Sequence, residues 1–161
     1  ESKCTFLNNL DETVDYSESL VIKNTQMKHF SYNSTSLSIL TFINNPLLVN
    51  FTNCYLPNLT KLIIDSTPFS LFDNNTFGKL QSFELTNSLL FDNIFSKLGS
   101  GLNELILIGN NISTISLPEF PFLKSLTIKN NSIFTLILNL SSLSSIQLSL
   151  ERLDSLTIYQ S

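Results

Sequence analysis

Apolar and polar residues follow one short phrase that recurs along the chain. Its clearest copies begin at Leu102 and Leu123, with apolar residues at positions one, four, six and eleven and asparagine at position nine. Copies start at residues 17, 37, 59, 80, 102, 123 and 143, in steps of 20 to 22 residues. A fixed period of this length predicts a solenoid in which each copy forms one turn of a coil.

Each phrase predicts one short parallel strand. In the copy that starts at Leu102, Leu105 and Leu107 alternate with Glu104 and Ile106. Successive side chains of a strand point to opposite faces, so the leucines are predicted inside and the intervening residues outside. One copy cannot bury its apolar row alone, and neighbouring copies are therefore expected to stack on each other.

The phrase resembles that of the leucine-rich repeat family over roughly residues 17–161, and seven copies in register carry the resemblance. It implies a leucine-rich repeat solenoid, α/β class by convention, with a curved parallel β-sheet on the concave face. The return paths are only about ten residues long and several contain proline, so turns, extended segments or single 3₁₀ turns are expected on the convex face, and long helices are not. The inner wall of these paths is predicted at Leu56, Phe77, Phe120 and Leu140.

Position nine of the phrase predicts a polar ladder inside the coil. An amide can tie successive turns together through its donors and its acceptor, and a hydroxyl can do so with fewer bonds. Six copies carry one of these groups: Thr25, Asn45, Thr67, Ser88, Asn110 and Asn131. Glu151 departs from the pattern, so the ladder is expected to be weakest near the last copy.

The sequence predicts one domain, formed by an N-terminal cap of residues 1–16 and about seven repeats over residues 17–161. Leu153, Leu156 and Ile158 fit the strand phrase once more, so a short eighth strand is an open alternative. The chain begins with Glu1 rather than methionine and ends in a strand-like stretch. We therefore expect a segment of a longer protein, or a partner that covers the last repeat.

Composition and charge weigh against several classes of function. The net charge is −4 and no basic stripe is present, which argues against a nucleic-acid partner. No apolar run approaches the ~18 residues of a spanning helix, so no direct membrane insertion by this segment is expected. A single histidine, His29, and two isolated cysteines predict neither a metal site nor a cofactor site. Asp65 and Glu84 are the nearest approach to a catalytic pair, and solvated acidic side chains are far commoner, so an enzyme is not expected.

The compartment is indicated by cysteines and asparagines. Extracellular proteins of the resembled type often have disulfides in their N-terminal cap, where Cys4 lies. A Cys4–Cys54 bond would cross more than one repeat, although bridging needs Cα atoms within about 7 Å; the alternative is a free, buried Cys54. Seven N-x-S/T motifs are candidate glycosylation sites: Asn33, Asn50, Asn58, Asn74, Asn111, Asn130 and Asn139. Together these features favour a secreted or cell-surface glycoprotein over an intracellular protein.

The outward positions of the strands are the candidate binding surface. Its candidate residues are Ile43, Ile63, Asp65, Glu84, Glu104, Ile106, Ile108, Thr127 and Lys129. Exposed apolar patches with polar rims mark interaction sites, although β-branched residues also favour strands wherever they point. The sequence thus predicts a recognition module, such as a receptor or adhesion segment, for a protein or glycoprotein ligand. The alternatives are an intracellular scaffold or regulatory domain and a spacer region of a larger receptor.

Overall fold

The described part of the chain is a parallel β-solenoid built almost entirely from strands. A computed structural model describes residues 18–88, 94–110, 112–116, 120–133, 135–139, 142–150 and 153–159. The elements in chain order are β1 (Ser19–Lys23), β2 (His29–Phe30), β3 (Ile39–Ile43), β4 (Asn50–Thr52), β5 (Lys61–Asp65), β6 (Leu71–Asp73), β7 (Ser82–Thr86), a 3₁₀ helix (Phe95–Lys97), β8 (Glu104–Ile108), β9 (Thr114–Ser116), β10 (Ser125–Asn131), β11 (Thr135–Asn139), β12 (Ser145–Leu150) and β13 (Ser155–Tyr159). The predicted cap, residues 1–16, lies outside the described residues.

Seven strands, one from each copy of the phrase, form the main sheet in the order β1-β3-β5-β7-β8-β10-β12. Every neighbouring pair is parallel, and position four of one copy lies opposite position four of the next, as Leu105 lies opposite both Phe83 and Leu126. Position six keeps the same register, so the predicted strand alignment is confirmed. The side chains at positions four and six are buried in every main-sheet strand from β1, with Leu20, to β10, with Ile128. On the edge strand β12, Ile146 is 44% exposed.

The return paths form two smaller parallel sheets, with strand orders β2-β4-β6 and β9-β11-β13. The only helix among the described residues is the 3₁₀ turn, which agrees with the prediction of non-helical return paths. The stretch that fits the phrase an additional time does form a strand, β13. It pairs with β11, with Leu156 opposite Leu136, and therefore belongs to a return sheet and not to the main sheet.

The polar ladder at position nine is present and continuous across six turns. Each backbone N–H donates to the side-chain oxygen of the next turn, for example Thr25 to Asn45 over 3.0 Å and Asn110 to Asn131 over 3.1 Å. Thr67 and Ser88 continue the chain of bonds through their hydroxyl groups. Glu151, where the ladder was expected to weaken, lies outside the described residues.

Position eight of six copies adopts the left-handed region of φ, directly after the main-sheet strand in five copies and within β10 in the sixth. It is held by Asn24, Asn44, Ser66, Asn87, Gly109 and Asn130, with φ between 49° and 68°. Asparagine and glycine adopt this conformation most readily, which explains their recurrence there. At Gly109 a Cβ would also come within 2.6 Å of Asn87 Oδ1, so a larger residue there would have to displace the Asn87 side chain.

An aromatic cluster fills the core between the main sheet and the first return sheet. Phe51 is fully buried and stacks on Phe72 and Phe30, with ring centroids 4.8 and 5.4 Å apart. Phe42 packs edge-on against the same ring at 5.7 Å. The predicted inner-wall residues Leu56 and Phe120 are buried, Phe77 is partly buried, and Leu140 lies outside the described residues.

Candidate interaction surface

The outer face of the main sheet consists of the side chains that alternate with the core residues. Strand pairing aligns them in three rows. Row one is Ser19, Ile39, Lys61, Ser82, Glu104, Ser125 and Ser145. Row two is Val21, Thr41, Ile63, Glu84, Ile106, Thr127 and Gln147. Row three is Lys23, Ile43, Asp65, Thr86, Ile108, Lys129 and Ser149. All nine predicted binding residues therefore lie on one face.

Apolar side chains form two separate patches on this face. The first patch lies on β1, β3 and β5, where Val21 is 51% exposed, Ile39 is 36% exposed, and Ile43 and Ile63 are half-buried. The second patch is Ile106 and Ile108 on β8, both half-buried. On β10, Thr127 lies opposite Ile106 and Lys129 lies opposite Ile108, so these two residues border the second patch.

An acidic diagonal separates the two patches. Asp65 is in row three on β5, Glu84 in row two on β7 and Glu104 in row one on β8. Adjacent strands are about 4.8 Å apart, and residues two apart along one strand are separated by about 6.6 Å. Successive members of the diagonal are therefore about 8 Å apart. The sequence suggested that Asp65 and Glu84 approach each other; their register places them one strand and one row apart.

Hydrogen bonds position two of these carboxylates. Ser82 donates its hydroxyl to Glu104 Oε2 over 2.7 Å, and Ser66 and Asn87 donate to Asp65 Oδ1 over 3.2 and 3.3 Å. No member of the diagonal forms an ion pair with a described residue. The ion pair among the described residues joins Lys97 and Asp73, which belong to the 3₁₀ helix and β6. The carboxylates are thus oriented by neutral donors, and their charge remains available to a partner.

A small groove lies beside the outer face, at the carboxyl ends of the strands. Its volume is about 310 Å³, and its lining is Pro46, Ser66, Thr67, Pro68, Asn87, Ser88, Gly109 and Asn110. Pro46 and Pro68 occupy the same position of adjacent copies, a signal that the sequence analysis missed. The lining contains no ionisable side chain, so the groove offers only apolar contacts and neutral hydrogen-bonding groups.

The remaining candidate chemistry is dispersed. His29 is exposed, and its Nδ1 lies 2.6 Å from Asn50 Nδ2. Within the described ranges, no three His, Cys, Asp or Glu side chains come close enough to hold a metal ion. In the same part of the chain no helix is long and apolar enough to cross a membrane.

Cys54 belongs to a second internal ladder that the sequence analysis missed. Its Sγ accepts a hydrogen bond from the Tyr32 N–H over 3.3 Å, and its own N–H donates to Asn75 Oδ1 over 3.1 Å. The thiol is buried and has no disulfide partner within the described ranges, and burial raises its pKa to about 12 despite the opposing effect of the Tyr32 N–H. Cys4 lies outside the described residues, so the Cys4–Cys54 bond stays a prediction.

The candidate glycosylation sites differ in exposure. Asn33, Asn74 and Asn130 are exposed, whereas Asn50 and Asn58 are half-buried. The Asn58 amide donates to the carbonyl of Thr35 over 2.7 Å. Asn139 is in β11, and Asn111 lies outside the described residues. Asn33, Asn50, Asn58 and Asn74 are on the return paths, away from the outer face, whereas Asn130 directly follows Lys129.

No protein-family model matches the chain, and no curated protein or solved structure shows significant similarity to it. The function therefore has to be inferred from the outer face itself.

Proposed function

We propose that this chain is a non-enzymatic recognition module of leucine-rich repeat type that binds a protein or glycoprotein partner on the outer face. One observation carries the proposal: outward side chains stand in register across seven strands, with apolar or charged ones on six of them, and no other described element packs over them. Half-exposed isoleucines between polar neighbours are what an interaction site requires. An open, regular sheet of this kind offers area to a macromolecule and no enclosed cavity to a small substrate.

The leucine-rich repeat assignment is supported by the register of the phrase and by its position-nine ladder. Leu105, Leu107 and Asn110 take the roles that the phrase implies: two inward strand residues and an internal amide. Both features require the stacking of successive copies, because each asparagine bonds to the turn before its own. The repeated strand is therefore the unit that would be varied to recognise different partners.

Secretion or display on the cell surface is part of the same proposal. The exposed sites Asn33 and Asn74 are on the return paths, where glycans would leave the outer face open to a partner. A glycan on Asn130 would lie beside Lys129 and would restrict access from that side. This distribution supports glycosylation on the return paths and partner binding on the outer face.

The test is partner capture with paired variants. The double variant Ile63→Lys/Ile106→Lys places a charge in each apolar patch, and Leu71→Lys is the matched control. Leu71 is 44% exposed on β6, in a return sheet, so it undergoes the same change away from the outer face. The chain is immobilised, exposed to surface and secreted proteins of its source cells, and cross-linked, and the cross-linked positions are mapped by mass spectrometry.

We expect cross-links to outer-face strands in the wild type and in Leu71→Lys, and their loss in the double variant. Circular dichroism and thermal unfolding check that both variants keep the fold. Equal capture by the double variant, or cross-links confined to the return sheets, would remove the outer face from the proposal.

An intracellular scaffold is the second candidate, and the observation that favours it is that Cys54 has no disulfide partner among the described residues. Free thiols persist in reducing compartments, whereas secreted proteins usually oxidise theirs. The intact mass of protein from its natural source separates the two candidates. Added hexose supports the secreted module, and an unmodified, fully reduced chain supports the scaffold.

A further inference from the structure

We infer that the partner presents a cationic extended segment, with lysine or arginine at alternate positions, which lies along the acidic diagonal of Asp65, Glu84 and Glu104. The observation behind it is that these carboxylates form one line between two apolar patches. The inference rests on the proposed function and deepens it by naming the chemistry of the partner.

The spacing of the diagonal fits a strand-like chain. An extended chain presents every second side chain on the same side, about 6.6 to 6.8 Å apart, and the carboxylates are about 8 Å apart. Long, flexible lysine and arginine side chains easily span a difference of about 1 Å per residue. Three cations at alternate positions can therefore reach Asp65, Glu84 and Glu104 together.

The apolar patches suit the stems of the same cations. Ile63 is next to Asp65 along β5 on one side of the line, and Ile106 lies directly opposite Glu84 on the other side. Lysine and arginine bury their methylene stems on apolar surface while their charged ends reach a polar group. The cationic segment thus obtains charge contacts and apolar contacts from the same residues, which a simple acidic surface would not provide.

The lysines of the outer face define the limits of this site. Lys23 is on the edge strand β1, and Lys129 lies beyond the second patch on β10. Lys61 is on β5 in row one, beside the line, and forms no ion pair with any described acidic residue. Like charges repel, so these lysines would hold a cationic segment to the diagonal and set its direction.

The experiment is a titration of the whole chain against a synthetic peptide in which arginine alternates with threonine, labelled for fluorescence anisotropy. A peptide with glutamate in place of arginine is the charge control. The variants are Glu84→Gln and Glu84→Lys at the centre of the diagonal. Their matched controls are Glu18→Gln and Glu18→Lys, because Glu18 is exposed, precedes β1 and lies off the diagonal.

We expect saturable binding of the arginine peptide, no binding of the glutamate peptide, and about threefold weaker binding on Glu84→Gln. Reversal to Glu84→Lys should weaken binding by about tenfold or more, because a like charge then meets the segment. Both Glu18 variants should bind as the wild type does. Binding should also weaken as salt shortens the screening length from about 10 Å at 0.1 M to about 3 Å at 1 M.

Two results would overturn the inference. One is the absence of saturable binding to the wild type; the other is an equal loss in the Glu18 variants, which would reduce the effect to net charge. The proposed function fails separately, when Ile63→Lys/Ile106→Lys leaves capture of the natural partner intact. If capture of the natural partner needs both isoleucines but the arginine peptide does not compete with that partner, the inference of a cationic segment is contradicted and the proposed function is not.

Discussion

The backbone N–H of Ser88 donates a hydrogen bond of 2.9 Å to Oδ1 of Asn110, which lies in the next turn of the coil. The same Asn110 amide donates from Nδ2 to the carbonyl of Leu85 over 2.8 Å. One buried side chain therefore satisfies a donor and an acceptor of the preceding turn. In a parallel coil, these groups lie where the main-sheet strand ends and its own hydrogen bonds stop.

Asn110→Ala should lower the free energy of unfolding by about 3 kcal/mol, because it leaves two buried backbone groups without a partner. Urea unfolding followed by circular dichroism measures this change. The matched control is Asn103→Ala, since the Asn103 side chain makes no hydrogen bond within the described residues. Equal midpoints for the two variants would show that the ladder adds nothing to stability.

The sequence was sufficient for the inward rows and the ladder because the apolar positions recur in every copy and the ladder residues in six of the seven. Position four, occupied by Leu62 and Leu105, and position nine, occupied by Asn45 and Asn110, face identical neighbours from turn to turn. A one-residue slip would turn an apolar row outward, so the register is strongly specified. The same register predicts which candidate binding residues share the outer face.

The strands of the return paths could not be predicted in the same way, because these paths share only their inner-wall position and no longer phrase. Phe51 and Phe72 lie in strands of only three residues, and pairing between turns determines those strands. The second ladder depends on Cys54, whose sulfur accepts a bond usually given to oxygen. Its position one turn from Asn75 becomes visible only once the return strands are aligned. Likewise, Asp65, Glu84 and Glu104 form one diagonal only through the register of β5, β7 and β8.

Phe51→Ala should destabilise the fold by about 4 kcal/mol, because it removes a fully buried ring and leaves a cavity. Phe51 contacts rings from three turns, so its loss affects the main sheet and the first return sheet together. Phe122→Ala is the control, since that ring is 58% exposed and little area is lost. Thermal and urea unfolding should separate the two variants clearly; similar losses would contradict the buried cluster.

Cys54 should resist alkylation in the native protein and react after unfolding. A thiol whose pKa is about 12 is about a thousandfold less ionised at pH 8 than one of pKa about 9. Iodoacetamide labelling with and without urea, read by peptide mass spectrometry, measures the difference. Fast native labelling would contradict the burial of the thiol, and a failure to label in urea until reductant is added would reveal a disulfide.

The same thiol should make the free energy of unfolding depend on pH in the alkaline range. The pKa of the thiol is about 9 in the unfolded chain, whereas burial raises it to about 12 in the folded chain. Its folded pKa is the higher one, so the free energy of unfolding should fall as pH rises through this window. Cys54→Ser, whose hydroxyl does not titrate there, should show a shallower loss between these limits.

The ion pair of Lys97 and Asp73 should make the free energy of unfolding depend on pH in the acidic range. It joins the 3₁₀ helix to β6 over 2.6 Å, across the break between the two return sheets. The Lys97 ammonium group, through its hydrogen bond and its charge, lowers the pKa of Asp73 below the ordinary value. A lowered folded pKa means that the stabilisation is present above the unfolded pKa of about 3.9 and is lost as pH falls through the folded value.

Lys97→Gln should therefore be less stable than the wild type at neutral pH, and the difference should shrink to nothing as pH falls below the folded pKa of Asp73. Lys79→Gln is the control, because Lys79 is exposed and forms no ion pair with a described residue. Urea unfolding at a series of pH values gives both curves, and the carboxyl chemical shift of Asp73 gives its pKa directly. Because both side chains are partly exposed to solvent, high salt should reduce the neutral-pH difference as well. A difference that persists at low pH would mean that Lys97 stabilises the fold through the packing of its stem and not through its charge.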